Sequence, residues 1–138
     1  MNNRKKGQDL LLSAERLCKR DLEGALREGD FSMAVRRAQE VAELALKGGL
    51  AVLGVEYPKI HDVGRVFADA VRKKIGEVDR EMLDRMAWVC TRLCEERGPA
   101  FYGEKLYGER EARQAHRDAV FVLSKVQEIL RTSGWLPK

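Results

Sequence analysis

The stretch Gly29-Asp30-Phe31-Ser32-Met33-Ala34-Val35-Arg36-Arg37-Ala38-Gln39-Glu40-Val41-Ala42-Glu43-Leu44-Ala45-Leu46-Lys47-Gly48-Gly49-Leu50-Ala51-Val52-Leu53 decides the fold. Gly29 reads as a helix stop and Asp30 as the N-cap of the next helix, because an Asp oxygen can accept one of the orphaned amides of a first turn. From Phe31 to Leu53 the apolar residues Phe31, Ala34, Val35, Ala38, Val41, Ala42, Ala45, Gly49 and Val52 recur at helical spacing and form a single stripe. Small side chains dominate that stripe, so neighbouring backbones can come close, and the helix belongs at the bundle centre or against a partner chain. Gly48 and Gly49 each cost about 1 kcal/mol in helix propensity, a cost that calls for a packing reason or a kink.

The pattern repeats outward in both directions, and no period-2 segment of strand length interrupts it, which predicts an all-α fold. A first helix is expected over about Gln8 to Arg27. A short third one should open at His61-Asp62 and carry Val63, Val66, Phe67, Ala70 and Val71 inward, with Arg72, Lys73 and Lys74 at its C-terminal end. A fourth should start near Asp79 and end by Gly98-Pro99, leaving Gly98 to Gly108 as a loop anchored by the packed rings of Phe101, Tyr102 and Tyr107. The last, about Glu109 to Thr132, buries Ala112, Ala115, Ala119, Val122, Val126, Ile129 and Leu130. One domain is expected over residues 8–132, with short tails at 1–7 and 133–138.

With 138 residues, 44% hydrophobic and 35% charged, the chain can bury one core. No run approaches the roughly 18 apolar residues of a spanning helix, and Leu10-Leu11-Leu12 is too short for a signal peptide. The expectation is a cytoplasmic protein without membrane contact. Lysine and arginine total 26 against 22 acids, a net +4; for nucleic-acid binding the distribution of those charges matters more than the sum. Cys18, Cys90 and Cys94 make no even disulfide framework, which fits a reducing interior. Cys90 and Cys94 share a helix face without a third thiol or a histidine nearby in sequence, so ligand spacing implies neither metal nor cofactor. There is no Gly-rich phosphate loop after a strand, so hydrolysis of P-loop type is not expected.

The last helix holds the most chemistry. Taking about 100° per residue from Arg110, Arg113 and Arg117 fall at roughly 300° and 340°, a basic stripe opposite the core, while His116 falls at roughly 240° on its shoulder. A histidine beside arginines can serve as acid or base in ribose 2′-hydroxyl chemistry, with arginine stabilising the phosphorane charge. The structural alternative is a solvated face, since Glu109, Glu111 and Asp118 lie nearby. His61-Asp62 could orient a phosphate or metal, or Asp62 could simply cap the helix. Lys47 stands four residues after Glu43 in the favourable order for an intrahelical ion pair.

The second helix from Gly29 to Lys47, followed by Pro58-Lys59-Ile60-His61-Asp62-Val63, resembles the HEPN domain. Arg97 to Tyr102 is similar to that family's Arg- and Tyr-containing turn, and Glu109-Arg110-Glu111-Ala112-Arg113 onward to its alanine-rich last helix. The resemblance covers about residues 8 to 132. It implies an up-and-down bundle of four or five helices that commonly dimerises. It also implies a prokaryotic toxin-antitoxin-like pair with a minimal nucleotidyltransferase. Ribonuclease members carry an Arg, a gap of four to six residues, and a His, a spacing that Arg110 and His116 meet. The candidate catalytic pair is therefore Arg110 and His116, here about 120° apart on an ideal helix. The candidate nucleotide- or RNA-binding residues are Arg113, Arg117, Lys47, His61, Arg97 and Tyr102. The alternative is a non-catalytic interaction module that docks the nucleotidyltransferase.

Overall fold

A computed structural model describes residues 3–138, and every described element is helical. Helices α1 (Asn3–Arg16) and α2 (Glu23–Glu28) are joined without a break by a π-helical turn, Leu17–Leu22. They are followed by α3 (Phe31–Val52), α4 (Gly64–Lys74), α5 (Arg80–Tyr102) and α6 (Glu109–Thr132). The result is an up-and-down bundle with α3 at its centre.

The first turn shows how the sequence sets the chain direction. Gly29 adopts φ 75°, and the Gly29 and Asp30 amides donate to Leu26 O at 3.1 Å and Ala25 O at 2.9 Å, which closes α2 in a Schellman motif. Asp30 then caps α3, its carboxylate accepting from the Met33 amide at 3.2 Å. The small-residue stripe of α3 is almost wholly buried, and Leu46 and Leu50 join it. The two glycines of α3 have the expected packing reason. A Cβ on Gly48 would meet Gly7 O at 3.0 Å, and one on Gly49 would meet Phe67 Cε1 at 2.7 Å and Val126 Cγ1 at 3.0 Å. Thus α1, α4 and α6 all approach α3 at these two positions.

Four expectations are corrected. The first helix already includes Asn3 and does not open near Gln8, with Gly7 buried against α3; at the other end Leu136 is buried in the core. The rod is not a regular helix to Arg27, since one extra residue is accommodated in the π turn. His61 and Asp62 precede α4 instead of opening it; the Gly64 amide is 3.5 Å from Asp62 Oδ1. Finally, α5 runs through Gly98-Pro99 to Tyr102 and ends at Gly103, φ 67°, whose amide donates to Pro99 O. Pro99 lacks the amide that would bond the Glu95 carbonyl and crowds that carbonyl, and α5 continues only three residues beyond it, to Tyr102. The expected long loop therefore shrinks to 103–108. Of its rings only Tyr107 is buried; Tyr102 is 74% exposed and packs edge-on against Phe101, ring centroids 4.8 Å apart.

Candidate functional site

A cavity of about 400 Å³ lies between α5 and α6 under the 103–108 loop, within the size range of small-molecule sites. Four cations, Arg92, Lys105, Arg110 and Arg117, and three carboxylates, Glu96, Glu111 and Asp118, line it. The partners of the carboxylates decide its character. Glu96 accepts from the Tyr107 hydroxyl and from Lys105 at 3.2 Å. The Tyr107 bond holds the Glu96 carboxyl below its ordinary range, while burial and then the neighbouring Glu96 push the Tyr107 hydroxyl up. Glu111 accepts from the Gly108 amide at 3.1 Å and lies 3.8 Å from Lys105. Asp118 accepts from the Gln114 amide at 2.9 Å.

That leaves three guanidinium groups without a carboxylate in ion-pair contact. Arg117 donates to the neutral Gln114 Oε1 at 2.9 Å, and Arg92 stacks over the Trp88 ring at 4.9 Å. Arg110 has no hydrogen-bond or ion-pair partner among the described residues. A cavity with uncompensated arginines and a buried ring at its wall is chemically suited to a phosphate-bearing ligand, since guanidinium forks match phosphate oxygens.

The basic stripe of α6 is divided. Arg110 and Arg117 face the cavity, whereas Arg113 is paired with Glu109 at 2.7 Å and is not part of the lining. His116 also lies outside the cavity. Its Nε2 is 3.1 Å from Glu23 Oε2, across the groove between α2 and α6. Within one chain, therefore, Arg110 and His116 address different grooves, as their angular separation on the helix foretells.

Lys47, His61 and Arg97 are brought together, but around protein groups. Glu43 accepts from Lys47 Nζ at 2.8 Å, from Gln39 Nε2 at 2.8 Å, and contacts His61 Nδ1 at 2.9 Å. Gln39, 1% exposed, accepts from Arg97 at 2.7 Å. Burial alone would raise the Glu43 carboxyl; the bonds from Lys47, Gln39 and His61 outweigh it and hold it below its ordinary value. This network ties α3 to α5 and to the 54–63 connection, and its charges are largely spent inside it. Arg92, Lys105, Gln39 and Glu23 are functional or structural partners that helical periodicity does not single out. Each looks like one more polar residue until tertiary contacts are known.

The three cysteines are free. The neighbouring Cys94 and burial together push the Cys90 thiol far up. Burial, reinforced by Glu23, raises the Cys18 thiol to about 11. Among the described residues no helix is long and apolar enough to cross a membrane.

Comparison with known proteins agrees with the bundle. The HEPN domain family model matches residues 8–130. The solved structure of TT1696 from Thermus thermophilus is similar, with 26% identity and a TM-score of 0.73 over 94% of this chain and 100% of that one. No curated protein matches.

Proposed function

The chain belongs to the HEPN domain family, and we propose that it binds nucleotide or RNA phosphate in the cavity between α5 and α6. The observation that carries this reading is the unpaired Arg110 flanked by Arg92 and Arg117, none of them in ion-pair contact with a carboxylate among the described residues. Isothermal titration with ATP tests it: Arg110→Ala and Arg117→Ala should each weaken binding several-fold, and Arg113→Ala, already paired with Glu109, should leave it unchanged. Equal losses in all three variants would mean general surface charge and no site.

The same proposal extends to context. The protein would act in the cytoplasm as a homodimer and as one half of a toxin-antitoxin-like pair with a minimal nucleotidyltransferase, a reading supported by the resemblance of Gly29 to Lys47 and Pro58 to Val63. Co-expression with a nucleotidyltransferase encoded beside it, followed by gel filtration, would detect the complex and the dimer. In its sharper form the protein is a metal-independent endoribonuclease, with His116 as acid or base and Arg110 holding the scissile phosphate. Because the two face different grooves of one chain, such chemistry needs Arg110 of one copy and His116 of another. RNA cleavage in EDTA, lost in both Arg110→Ala and His116→Ala, is the result that form requires. The docking-module reading also has a specific observation behind it: Leu106 is 93% exposed and Tyr102 74%, with Phe101 half exposed between α5 and the loop.

A further inference from the structure

The π turn has a chemical consequence. In a regular α-helix the side chains of residues i and i+5 point about 140° apart, whereas one extra residue in the turn stacks them. Here the Glu23 amide donates to Cys18 O, the hydrogen-bond register of a π turn. Cys18 Sγ consequently lies 3.8 Å from Glu23 Oε2. From α6, His116 presents Nε2 to the same oxygen at 3.1 Å. The three donor atoms all lie within 4.8 Å of one another.

A thiol, an imidazole and a carboxylate gathered in this way are a tetrahedral donor set with one position open. With metal–ligand distances of about 2.0–2.3 Å and tetrahedral angles, neighbouring ligand atoms should stand roughly 3.3–3.7 Å apart. The Cys18–Glu23 and Glu23–His116 separations bracket that range, so small side-chain rotations would close the shell. We propose that Cys18, Glu23 and His116 form a three-ligand site for a zinc-like divalent ion, with its fourth position left to water or an anion.

The surroundings suit that role. Cys18 is buried, which protects a thiolate from oxidation, while Glu23 and His116 are part-exposed and leave a route for the ion. On binding, the Cys18 thiol proton passes to solvent and the sulfur lone pair takes the metal bond; no redox partner is involved. A π turn is rarer and less favourable than a continued α-helix, and such turns concentrate at functional sites. A second grouping, Asp62 with Cys90 and Cys94, is less open to an ion because Asp62 Oδ2 already accepts from Thr91 at 2.7 Å. None of the three proposed ligands lines the phosphate cavity, so ion binding and phosphate binding are tested separately; an ion held by His116 Nε2 would, however, exclude the acid–base role that the ribonuclease form gives to His116.

Cobalt(II) is the probe. The full chain, stripped with EDTA and kept reduced, should take up one equivalent and develop a thiolate-to-cobalt charge-transfer band with intense visible bands of tetrahedral type, which zinc then bleaches. Cys18→Ser should abolish the charge-transfer band, and His116→Ala, with its fold checked by circular dichroism, should weaken cobalt binding by about tenfold or more. Zinc should raise the melting temperature of the parent and not of His116→Ala. Arg110→Ala should leave the spectrum unchanged, which separates this site from the phosphate cavity. The proposal is overturned if the folded parent gives no band, or if the band survives Cys18→Ser and disappears with Cys90→Ser.

Discussion

Replacing Gly7 with alanine adds one methyl group at the point where α1 and α3 come closest. The new Cβ would lie 2.5 Å from Val52 Cγ2 and 2.6 Å from both Gly48 O and Val52 N, when ordinary contact begins near 3.4 Å. Two of these neighbours are backbone, so no rotamer change relieves them, and α1 must move off α3 by about 0.8 Å. That motion loosens Leu11 and Ala14, which α1 buries. Alanine returns at most ~1 kcal/mol of helix propensity, against an overpacking cost of about 1–3 kcal/mol that rigid backbone contacts push to its upper end. The net is a loss of roughly 1–2 kcal/mol, or a fall in melting temperature of about 3–10 °C for a domain of this size. Gly24→Ala is the matched control. Its Cβ meets only the mobile end of Arg27 at 3.7 Å, so the same chemical change should gain about 0.5–1 kcal/mol. Thermal denaturation by circular dichroism reads both. Shifts of the same sign, or a Gly7→Ala protein as stable as the parent, would refute the close-approach argument.

Three further outcomes follow from the polar contacts. Gln39→Ala should cost about 1–3 kcal/mol in urea denaturation, because it strips Arg97 and Glu43 of a buried partner, whereas the Arg97→Lys change should cost less. Glu43 titrates below its ordinary value of 4.5, so its network stabilises the protein above that pH and the contribution is lost as pH falls through the lowered folded value. Between neutral pH and pH below 4.5 the parent should therefore lose more stability than Glu43→Gln, and parallel curves would contradict the assignment. Asp30→Ala should destabilise by about 1 kcal/mol through loss of the α3 cap, and Asp30→Asn should restore most of it.

How much of this the sequence discloses depends on the range of the contact. The stripe of α3 and the core of α6 are legible because a 3.6-residue period survives any packing partner. The end of α5 is not, since Gly98-Pro99 is a strong local stop signal, yet α5 runs three residues past Pro99 to the cap that Gly103 supplies. The π turn escapes the same reading: one inserted residue shifts the phase of the first rod without changing its composition. In the site, Arg110 and Arg117 on one face and His116 on a shoulder follow from angles alone. What neutralises or engages each of them does not. Glu23 meets His116 from 93 residues away, and Arg92 reaches the cavity from another helix.

Phosphate recognition by Arg110 in the α5–α6 cavity is most directly tested by fluorescence polarisation of a labelled single-stranded RNA across a range of salt concentrations. The account predicts measurable binding by the parent, a slope of log affinity against log salt that falls by about 0.7 in Arg110→Ala, and an unchanged slope in Arg113→Ala. A parent protein that binds neither RNA nor nucleotide, or a slope that responds equally to Arg113→Ala, would contradict it.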